Sequence, residues 1–326
     1  EPAPTPTLHR QDLDFGAMGT EVTITALHAD AEVARRALLA AREEFERIED
    51  LMTSWRDSPL KHMNTGADGT PRRVPAELAK LVERSLVISR LSGGAFDPTI
   101  GAVLRQWDFK ADPPVIPDQA KLEQALRHVD WEKVVVDVDA STVSMPAGTR
   151  VVLGGIAKGY GVDVVAEALE KLGYTEYLVE VGGEIRAQGL NEHEVIWQIG
   201  IEQPDAERGA LHSVLPLDNT GMATSGDYRN YIEQDGVRIS HTIDARTGKP
   251  VTHTLASVTV LHDSAMTADA LATAINVLGP EDGHALAESM NLPVLMLIRT
   301  APGEFSEKTS TAFTAYRVTH PSPVQE

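Results

Sequence analysis

The sequence predicts an α+β fold in which most strands pair antiparallel. Three observations support this prediction. Apolar residues recur at the helical period in several long segments, apolar and polar residues alternate in many short ones, and most consecutive strands are separated by no more than a turn. A doubly wound parallel sheet would need a helix between most pairs of strands. The 326 residues suffice for two domains or for one compact two-lobed unit.

Composition excludes several classes of function. The net charge is −19, which argues against nonspecific nucleic-acid binding because that requires basic patches to neutralise phosphates. There is no cysteine, so disulfides, thiol catalysis and Cys₄ zinc sites are excluded. No apolar run approaches the roughly 20 residues of a transmembrane helix. Any phosphate-bearing ligand must therefore be held by local devices such as a helix N-terminus, single Lys or Arg side chains, or a divalent cation.

The two ends of the chain differ in composition from the rest. Residues 1–12 contain three prolines and are interpreted as an extended leader, and the polar residues 319–326 as a frayed tail. The predicted folded domain is residues 13–318, with two lobes whose boundary the sequence does not fix. Such leaders occur after a removed export signal or lipid anchor, although trimming of the chain would look the same.

The helices are predicted from apolar periodicity and from residues that begin or end helices. Residues 29–52 carry a continuous apolar face, and residues 75–91 end at Gly93-Gly94. Asp97 and Pro98 suit the N-cap and first turn of another helix. Further predicted helices span residues 118–129, 265–277 and 281–290.

The strands are predicted from β-branched and alternating segments. Val22, Ile24 and Ala26 alternate with threonines after a turn that contains Met18. A hairpin with Asp235-Gly236 at its turn is predicted within residues 222–244, because this pair suits positive φ angles. Further predicted strands span residues 133–138, 142–145, 177–181, 184–188, 195–202, 211–217, 256–261 and 293–298.

Residues 151–183 form the central unit of the chain. Val151 and Val152 predict a strand, Gly154-Gly155 a turn, and the following residues a helix that leads to the strand 177–181. Free N–H groups at the start of such a helix form an anion site, and Lys158 adds a positive charge within the turn. The alternative is that the glycines serve only the turn, since neither G-x-G-x-x-G nor G-x-x-x-x-G-K-[ST] is present.

Two residues of the predicted helix 265–277 suggest a metal site. Asp269 and Thr273 are four residues apart, so both side chains lie on one helix face. A carboxylate and a hydroxyl suit Mg²⁺, which prefers oxygen ligands. Alternatively, Asp269 interacts with the helix dipole and Thr273 packs in the core, while Asp263 belongs to the N-cap region.

Other residues also have two interpretations. His241 lies near Asp244 and suits a general base, but ten other histidines compete for this role and most are structural. Ser225 and Asp227, in the segment ATSGDYRNY, suit a binding turn or turn chemistry alone. Trp55 and Phe96 suit stacking on an aromatic ring or packing in the core.

Seven segments occur in an order that is typical of one family: MGT at 18–20, AFDPTIG at 95–101, LGGIAKGYGVD at 153–163, VGGEI at 181–185, ATSGDY at 223–228, SHTIDARTGKP at 240–250 and TADALATA at 267–274. Over residues 13 to about 316, the chain closely resembles the ApbE family of FAD:protein FMN transferases. This resemblance implies an α+β fold of two lobes of mainly antiparallel sheet, flanked by helices, with a flavin cleft between the lobes.

The resemblance also implies an activity. The family cleaves the pyrophosphate of FAD and joins FMN through a phosphoester to a Thr or Ser of a partner protein, with release of AMP. Its members need Mg²⁺, and some hydrolyse FAD to FMN and AMP instead. A non-catalytic flavin-binding protein that assists assembly of a respiratory complex is a third possibility.

The family motifs assign roles to individual residues. The resemblance implies that Mg²⁺ is held by the Asp269 carboxylate, the Thr273 hydroxyl and the main-chain carbonyl of Gly155, and that His241 acts in flavin transfer. It implies an FAD site lined by Met18, Trp55, Ala95, Phe96, Asp97, Lys158 and Thr242. One position departs from the family, which commonly has an acidic residue where this chain has Val152.

The resemblance further implies a location and partners. Family members are usually exported, to the periplasm or as lipoproteins. Their acceptors are flavoproteins of membrane redox complexes, namely sodium-pumping NADH:quinone reductases, Rnf-type complexes and regulators of nitrous oxide respiration. The sequence does not distinguish among these acceptors.

Overall fold

The fold was taken from a computed structural model, which describes residues 7–109, 111, 114–206, 209–226, 231–234 and 237–316. Its helices are α1 (Ala31–Met52), α2 (Pro59–Thr65), α3 (Ala76–Leu91), α4 (Gly101–Leu104), α5 (Gln119–Leu126), α6 (Ala157–Lys171) and α7 (Ala265–Ser289). Its strands are β1 (His9–Ala17), β2 (Thr20–His28), β3 (Arg72–Arg73), β4 (Val135–Asp137), β5 (Thr142–Ser144), β6 (Tyr177–Val181), β7 (Glu184–Gln188), β8 (Trp197–Glu202), β9 (Leu211–Leu217), β10 (Thr220–Gly226), β11 (Tyr231–Gln234), β12 (Val237–Ser240), β13 (Ile243–Asp244), β14 (Lys249–Pro250), β15 (Leu255–His262), β16 (Val294–Ala301) and β17 (Glu304–Thr309).

A single large sheet organises the described part of the chain. Its eight strands lie in the order β1-β2-β6-β7-β10-β15-β16-β17, and every neighbouring pair is antiparallel. The predicted α+β class with antiparallel strands is therefore confirmed. Strands that are consecutive along the chain form four of the seven pairs, and the other three pairs join strands that are further apart in the sequence.

Both faces of this sheet are covered. The helix α1 begins at its cap Asp30, whose side chain accepts two backbone N–H bonds, and buries Leu38, Phe45 and Ile48. With α6 it encloses one apolar core against β2 and β6, and α7 joins α3 in a second core behind β10, β15 and β16. The hairpin β8–β9 covers the opposite face with Trp197 and Leu217.

A second region, residues 53–150, lies outside the large sheet. It holds α2 to α5 and a three-stranded sheet in the order β3-β5-β4. Its helix α3 packs in the same core as α7, so the two regions share apolar contacts. The division into two lobes with a cleft between them stays a prediction.

The first hairpin extends further toward the N-terminus than the sequence suggested. The strand β1 begins at His9. Residues 9–12 are therefore part of a strand, and their interpretation as part of an extended leader was wrong. Met18 and Gly19 form the two-residue turn between β1 and β2, with φ angles of 52° and 78°. Two positive φ angles are the geometry of a type I′ turn, which is the turn favoured in tight hairpins.

Two local predictions before α6 were wrong. Val151 and Val152 do not form a strand; instead the side chain of Asn64 bonds both the N–H and the C=O of Val151, and the N–H of Val152 donates to the carbonyl of Pro98. Asp97 does not cap a helix, because its carboxylate accepts bonds from the N–H and hydroxyl of Thr99 while α4 begins at Gly101. The side chain of Asn64 makes the hydrogen bonds to Val151 that a neighbouring strand would otherwise make.

The remaining elements follow the predictions with small shifts. The two helices predicted within 265–290 are separated by Gly279, whose φ of 80° interrupts α7 before Pro280. The strands on either side of the predicted Asp235-Gly236 turn pair as β11 and β12, but the turn itself lies outside the described residues. The helix α2 and the edge strand β17 were not predicted.

Candidate functional site

The helices α6 and α7 approach each other closely at their N-terminal ends. A Cβ atom on Gly159 would lie 2.3 Å from the carbonyl oxygen of Ala265 and 2.8 Å from Cβ of Asp269. Such distances exclude any side chain at this position without displacement of one helix. Gly159 therefore allows the first turns of the two helices to lie side by side.

Each helix carries an aspartate that caps the other helix. The carboxylate of Asp163, on α6, accepts bonds from the first two N–H groups of α7, those of Ala265 and Met266, at 2.9 and 3.0 Å. The carboxylate of Asp269, on α7, accepts a bond from the N–H of Gly159 in the first turn of α6 at 3.0 Å. A carboxylate at a helix N-terminus satisfies N–H groups that have no partner within the helix and interacts favourably with its dipole. The N-cap of α7 itself is Ser264, not Asp263 as the sequence suggested.

The two caps differ in their other partners. Asp163 also accepts a bond from the hydroxyl of Ser264 at 2.7 Å and one from Arg186 at 3.3 Å, which gives each of its oxygens two donors. For Asp269 the bond from Gly159 is the one hydrogen bond to its carboxylate within the described residues, and Oδ1 lies 3.8 Å from Nζ of Lys158. Asp269 is only 4% exposed, so it is a buried carboxylate with unused acceptor capacity.

Lys158 lies between two buried carboxylates. It is the second residue of α6 rather than part of the preceding turn, and its Nζ is 2.5 Å from Oε2 of Glu184. Burial lowers the pKa of Lys158, but the charges of Asp269 and Glu184 raise it more. Burial raises the pKa of Glu184 to about 8, with Lys158 acting against this shift, and burial also raises the pKa of Asp269. One partly exposed ammonium therefore serves two buried carboxylates.

The loop before α6 meets α7 at Gly155. A Cβ atom on Gly155 would lie 3.0 Å from Oγ1 of Thr273 and 3.1 Å from the ring of Phe96. Three residues that the resemblance assigned to the site, Gly155, Phe96 and Thr273, are therefore adjacent, and Asp269 is one helical turn from Thr273. A carboxylate, a hydroxyl and a main-chain carbonyl are the hard oxygen donors that suit Mg²⁺.

Within the ranges that the structure describes, no cluster of three or more His, Asp or Glu side chains is placed to hold a metal ion. The ligand set implied for Mg²⁺ contains one carboxylate, one hydroxyl and one carbonyl, so it does not require such a cluster. The donor chemistry around Asp269 fits this cation.

Asn276 connects α7 to the segment that contains His241. It is fully buried two turns after Asp269, and its Nδ2 donates to Oγ of Ser225 at 3.1 Å and to Oγ1 of Thr242 at 3.5 Å. His241, the residue before Thr242, is half-buried. The carboxylate of Asp244 accepts bonds from the backbone N–H and the guanidinium of Arg246.

The other predicted flavin residues lie in different settings. Met18 donates its N–H to Glu49 at 3.0 Å, and its Sδ faces α6 at Gly161. Ala95 is buried beside Phe96, whereas Trp55 is 66% exposed. The exposed ring of Trp55 is available for stacking and does not belong to the core. Phe96, in contrast, is buried.

Asp97 borders a cavity of about 270 Å³ whose other walls include Gly94, Trp131 and Arg246. Burial raises the pKa of Asp97, although its bonds from Thr99 oppose this shift. A second cavity, of about 490 Å³, is lined by Met63, Arg72 and their neighbours and contains none of the predicted site residues.

Three contributors to this geometry were not identified from the sequence: Glu184, Asp163 and Asn276. Each was visible as a polar residue on an apolar face, since Glu184 follows an apolar strand and Asp163 and Asn276 lie among the valines and leucines of helices. A buried ionisable group without an evident partner is a signal for a site or a network. Val152, which replaces an acidic residue common in the family, packs a methyl group against Gly101.

Known proteins resemble this chain over most of its length. The ApbE family profile matches residues 18–296. An FAD:protein FMN transferase of Vibrio cholerae serotype O1 is 40% identical over 82% of this chain and 80% of its own, and one of Haemophilus influenzae is 38% identical over 94% and 87%.

Solved structures show the same fold. The flavin transferase ApbE from Vibrio cholerae superposes with a TM-score of 0.85 at 35% identity, covering 95% of this chain and all of the other. The apo form of the Pseudomonas stutzeri flavinyl transferase ApbE has a TM-score of 0.86 at 31% identity, covering 95% and 97%. None of the helices described here is long and apolar enough to cross a membrane.

Proposed function

This chain belongs to the ApbE family, and we propose that it transfers FMN from FAD to a Thr or Ser hydroxyl of a partner redox protein. The hydroxyl oxygen attacks the phosphorus of the FMN half of FAD. The bond from that phosphorus to the bridging oxygen breaks, and AMP leaves with the bridging oxygen. The products are a phosphoester-linked FMN on the acceptor and AMP, so no oxidant or reductant is needed.

The observation that carries this proposal is the setting of Asp269. A buried carboxylate with free acceptor capacity lies beside the N-terminus of α6, with the ammonium of Lys158 3.8 Å away. Phosphoryl transfer from an anhydride depends mainly on positioning and on neutralisation of charge. The chain has a net charge of −19, so this positive charge must be supplied locally.

Asp269, the hydroxyl of Thr273 and the carbonyl of Gly155 would hold Mg²⁺. Bound there, the cation would neutralise negative charge on the pyrophosphate. The family resemblance and the hard oxygen donors support this assignment, and the adjacency of Gly155 to Thr273 is consistent with it.

The chain's own residues supply the remaining chemistry. The ammonium of Lys158, in the first turn of α6, binds phosphate oxygens. His241 accepts the proton of the attacking hydroxyl as a general base. Asn276 holds Thr242, and with it the segment of His241, against the helix that carries Asp269.

The FAD site would extend from this centre to both sides. We assign it the residues implied by the resemblance, namely Met18, Trp55, Ala95, Phe96, Asp97, Lys158 and Thr242. Phe96 and Lys158 border the proposed metal site directly. Asp97 borders the cavity of about 270 Å³, which extends the site toward Trp131 and Arg246.

We further propose that the protein acts outside the cytoplasm, in the periplasm or anchored as a lipoprotein. The acceptor would be a flavoprotein of a membrane redox complex, of the sodium-pumping NADH:quinone reductase, Rnf or nitrous oxide regulator type. Both proposals rest on the family resemblance.

Mass spectrometry of candidate acceptors after incubation with FAD and Mg²⁺ tests the function. We expect the acceptor to gain one FMN phosphoester while an equal amount of AMP appears. Substitution His241→Ala should slow transfer at least about a hundredfold, the usual contribution of a general base, and should leave FAD binding nearly unchanged. Release of FMN and AMP with an unmodified acceptor would indicate a hydrolase, and intact FAD a binding protein.

A further inference from the structure

Glu184 occupies an unusual position for an acidic residue. It is the first residue of β7, directly after the two-glycine turn that joins β6 to β7, and it is 2% exposed. Gly182 and Gly183 both have positive φ angles, and Val181 pairs with Glu184 across this turn. The turn geometry fixes the backbone of Glu184, and β7 packs against α6, which carries Lys158.

The ammonium of Lys158 is shared unequally between its two carboxylates. Its distance to Glu184 Oε2 is 2.5 Å, which is contact distance, whereas its distance to Asp269 Oδ1 is 3.8 Å, which is longer than a hydrogen bond. An ammonium carries a compact charge on a flexible stem and moves to the acceptor that binds it best. Without an acceptor at Glu184, Asp269 would be the one carboxylate of the described residues within 4 Å of Nζ.

We propose that Glu184 is a positioning residue that holds Lys158 away from Asp269 and so leaves Oδ1 of Asp269 open to a divalent cation. This inference rests on the proposed function, since it takes Asp269 as a metal ligand. A lysine in direct contact with Asp269 competes with the cation for the same oxygen. Glu184 therefore sets metal affinity without being a ligand.

Titration calorimetry with MgCl₂ alone, without FAD, measures this effect directly. Glu184→Leu removes the acceptor, and we expect Mg²⁺ to bind about tenfold more weakly, as is typical when a group that orients a metal site is lost. Glu184→Gln keeps a carbonyl acceptor for Lys158 and should lose about threefold or less. The Mg²⁺ concentration for half-maximal FAD turnover should shift in parallel, with kcat at saturating Mg²⁺ changed much less.

Glu180→Leu is the matched control. Glu180 is a half-buried acid on the adjacent strand β6, and its charged neighbour is Glu202 rather than Lys158. This variant should bind Mg²⁺ as the wild type does. An equal loss in Glu180→Leu and Glu184→Leu would mean that removal of any acid weakens binding, and it would overturn the inference.

A double-mutant cycle with Lys158→Met isolates the proposed mechanism. If Lys158 is the competitor, Glu184 variants should weaken Mg²⁺ binding in the wild-type background and have no such effect in Lys158→Met. The same loss in both backgrounds would overturn the inference. If Glu184→Leu does not fold, Glu184→Gln gives a smaller version of this comparison: its loss of about threefold or less should be present in the wild-type background and absent in Lys158→Met.

Asp269→Asn separates this inference from the proposed function. If Asp269→Asn binds Mg²⁺ normally, the metal assignment fails and the role of Glu184 fails with it. If Asp269→Asn loses Mg²⁺ binding while Glu184→Leu retains full affinity, the metal assignment stands and the role of Glu184 alone is wrong.

Discussion

Asp163 and Asp269 are two buried aspartates in nearly reciprocal positions, each capping the helix that carries the other. They are 8% and 4% exposed. Asp163 accepts four hydrogen bonds, two on each oxygen, whereas Asp269 accepts one within the described residues and faces a lysine at 3.8 Å. Burial and helix position are alike, so these features do not distinguish a structural residue from a functional one.

The two aspartates differ in how many of their hydrogen-bond acceptor positions are filled. A carboxylate has about four acceptor positions, and at Asp163 the fold fills all of them. A buried carboxylate with unfilled positions has a desolvation cost that its surroundings do not fully offset, and a cation can offset it. We therefore assign ligand binding to Asp269, because the fold leaves some of its acceptor positions unfilled.

The largest effect that tests this comparison is expected from Asp269→Asn. The amide retains an oxygen for the N–H of Gly159 but lacks the charge that binds a cation. We expect FMN transfer to fall about a thousandfold, because loss of a metal ion removes several kcal/mol of transition-state stabilisation. Asp163→Asn, assayed in parallel, should retain much more activity, and full activity of Asp269→Asn would remove Asp269 from the site.

Asp163→Ala should show the opposite pattern. It removes the acceptor for two N–H groups, one hydroxyl and one arginine, all buried or partly buried. We expect a loss of about 3 kcal/mol in the free energy of unfolding, measured by denaturant titration. Asp269→Asn is the control and should lose less than about 1 kcal/mol, since its cap bond remains. A greater loss in Asp269→Asn would reverse the assignment of roles.

Gly159→Ala tests whether the reciprocal caps need the close helix contact. The added methyl group would overlap the backbone of Ala265 and Cβ of Asp269. We expect a loss of about 2 kcal/mol in stability, typical of overpacking, together with weaker Mg²⁺ binding. Gly154→Ala is a suitable control for stability because no atom lies within 4 Å of its added Cβ. Unchanged stability in Gly159→Ala would mean that the helices separate without cost.

The smallest expected effect concerns pH. Burial raises the pKa of Glu184 from an ordinary value of 4.5 to about 8, so the folded protein binds a proton more tightly than the unfolded chain. The stabilisation from this proton is complete below pH 4.5 and is lost as the pH rises toward 8. The metal-free protein should therefore lose stability as the pH rises from 5 to 8.

Urea unfolding of the metal-free protein and of Glu184→Gln across this range measures the effect. The slope should be smaller in the variant, because its amide does not titrate. Equal slopes would assign the pH dependence to other groups.

Local sequence signals predicted most helices and strands because these elements are amphipathic over several turns or residues. The exceptions have local causes. The helix α2 begins at Ser58-Pro59, a good cap and first residue, but it lies within a stretch rich in glycine and proline. The edge strand β17 has little apolar alternation because half of its residues are exposed and none is fully buried. Val151 and Val152 have strand-forming side chains, yet the backbone there is bonded by Asn64 and Pro98 instead.

The site was predictable only in part. Helical spacing placed Asp269 and Thr273 on one face of a helix, and the glycine turn placed Lys158 near the start of α6, but their roles in the site came from the family resemblance. The contact of Lys158 with Glu184 and the bond from Gly159 to Asp269 join elements far apart in the sequence. Spacing along the chain does not encode such contacts, and the antiparallel order of the large sheet creates them.

The hydrogen bonds of Asn64 to Val151 have a mechanical consequence. They attach the loop that leads to Gly155 to the helical region of residues 53–150, whereas Asp269 and Lys158 belong to helices packed on the large sheet. A ligand held between Gly155 and Asp269 would therefore add a second link between this loop and α7, beside the apolar core that residues 53–150 already share with α7.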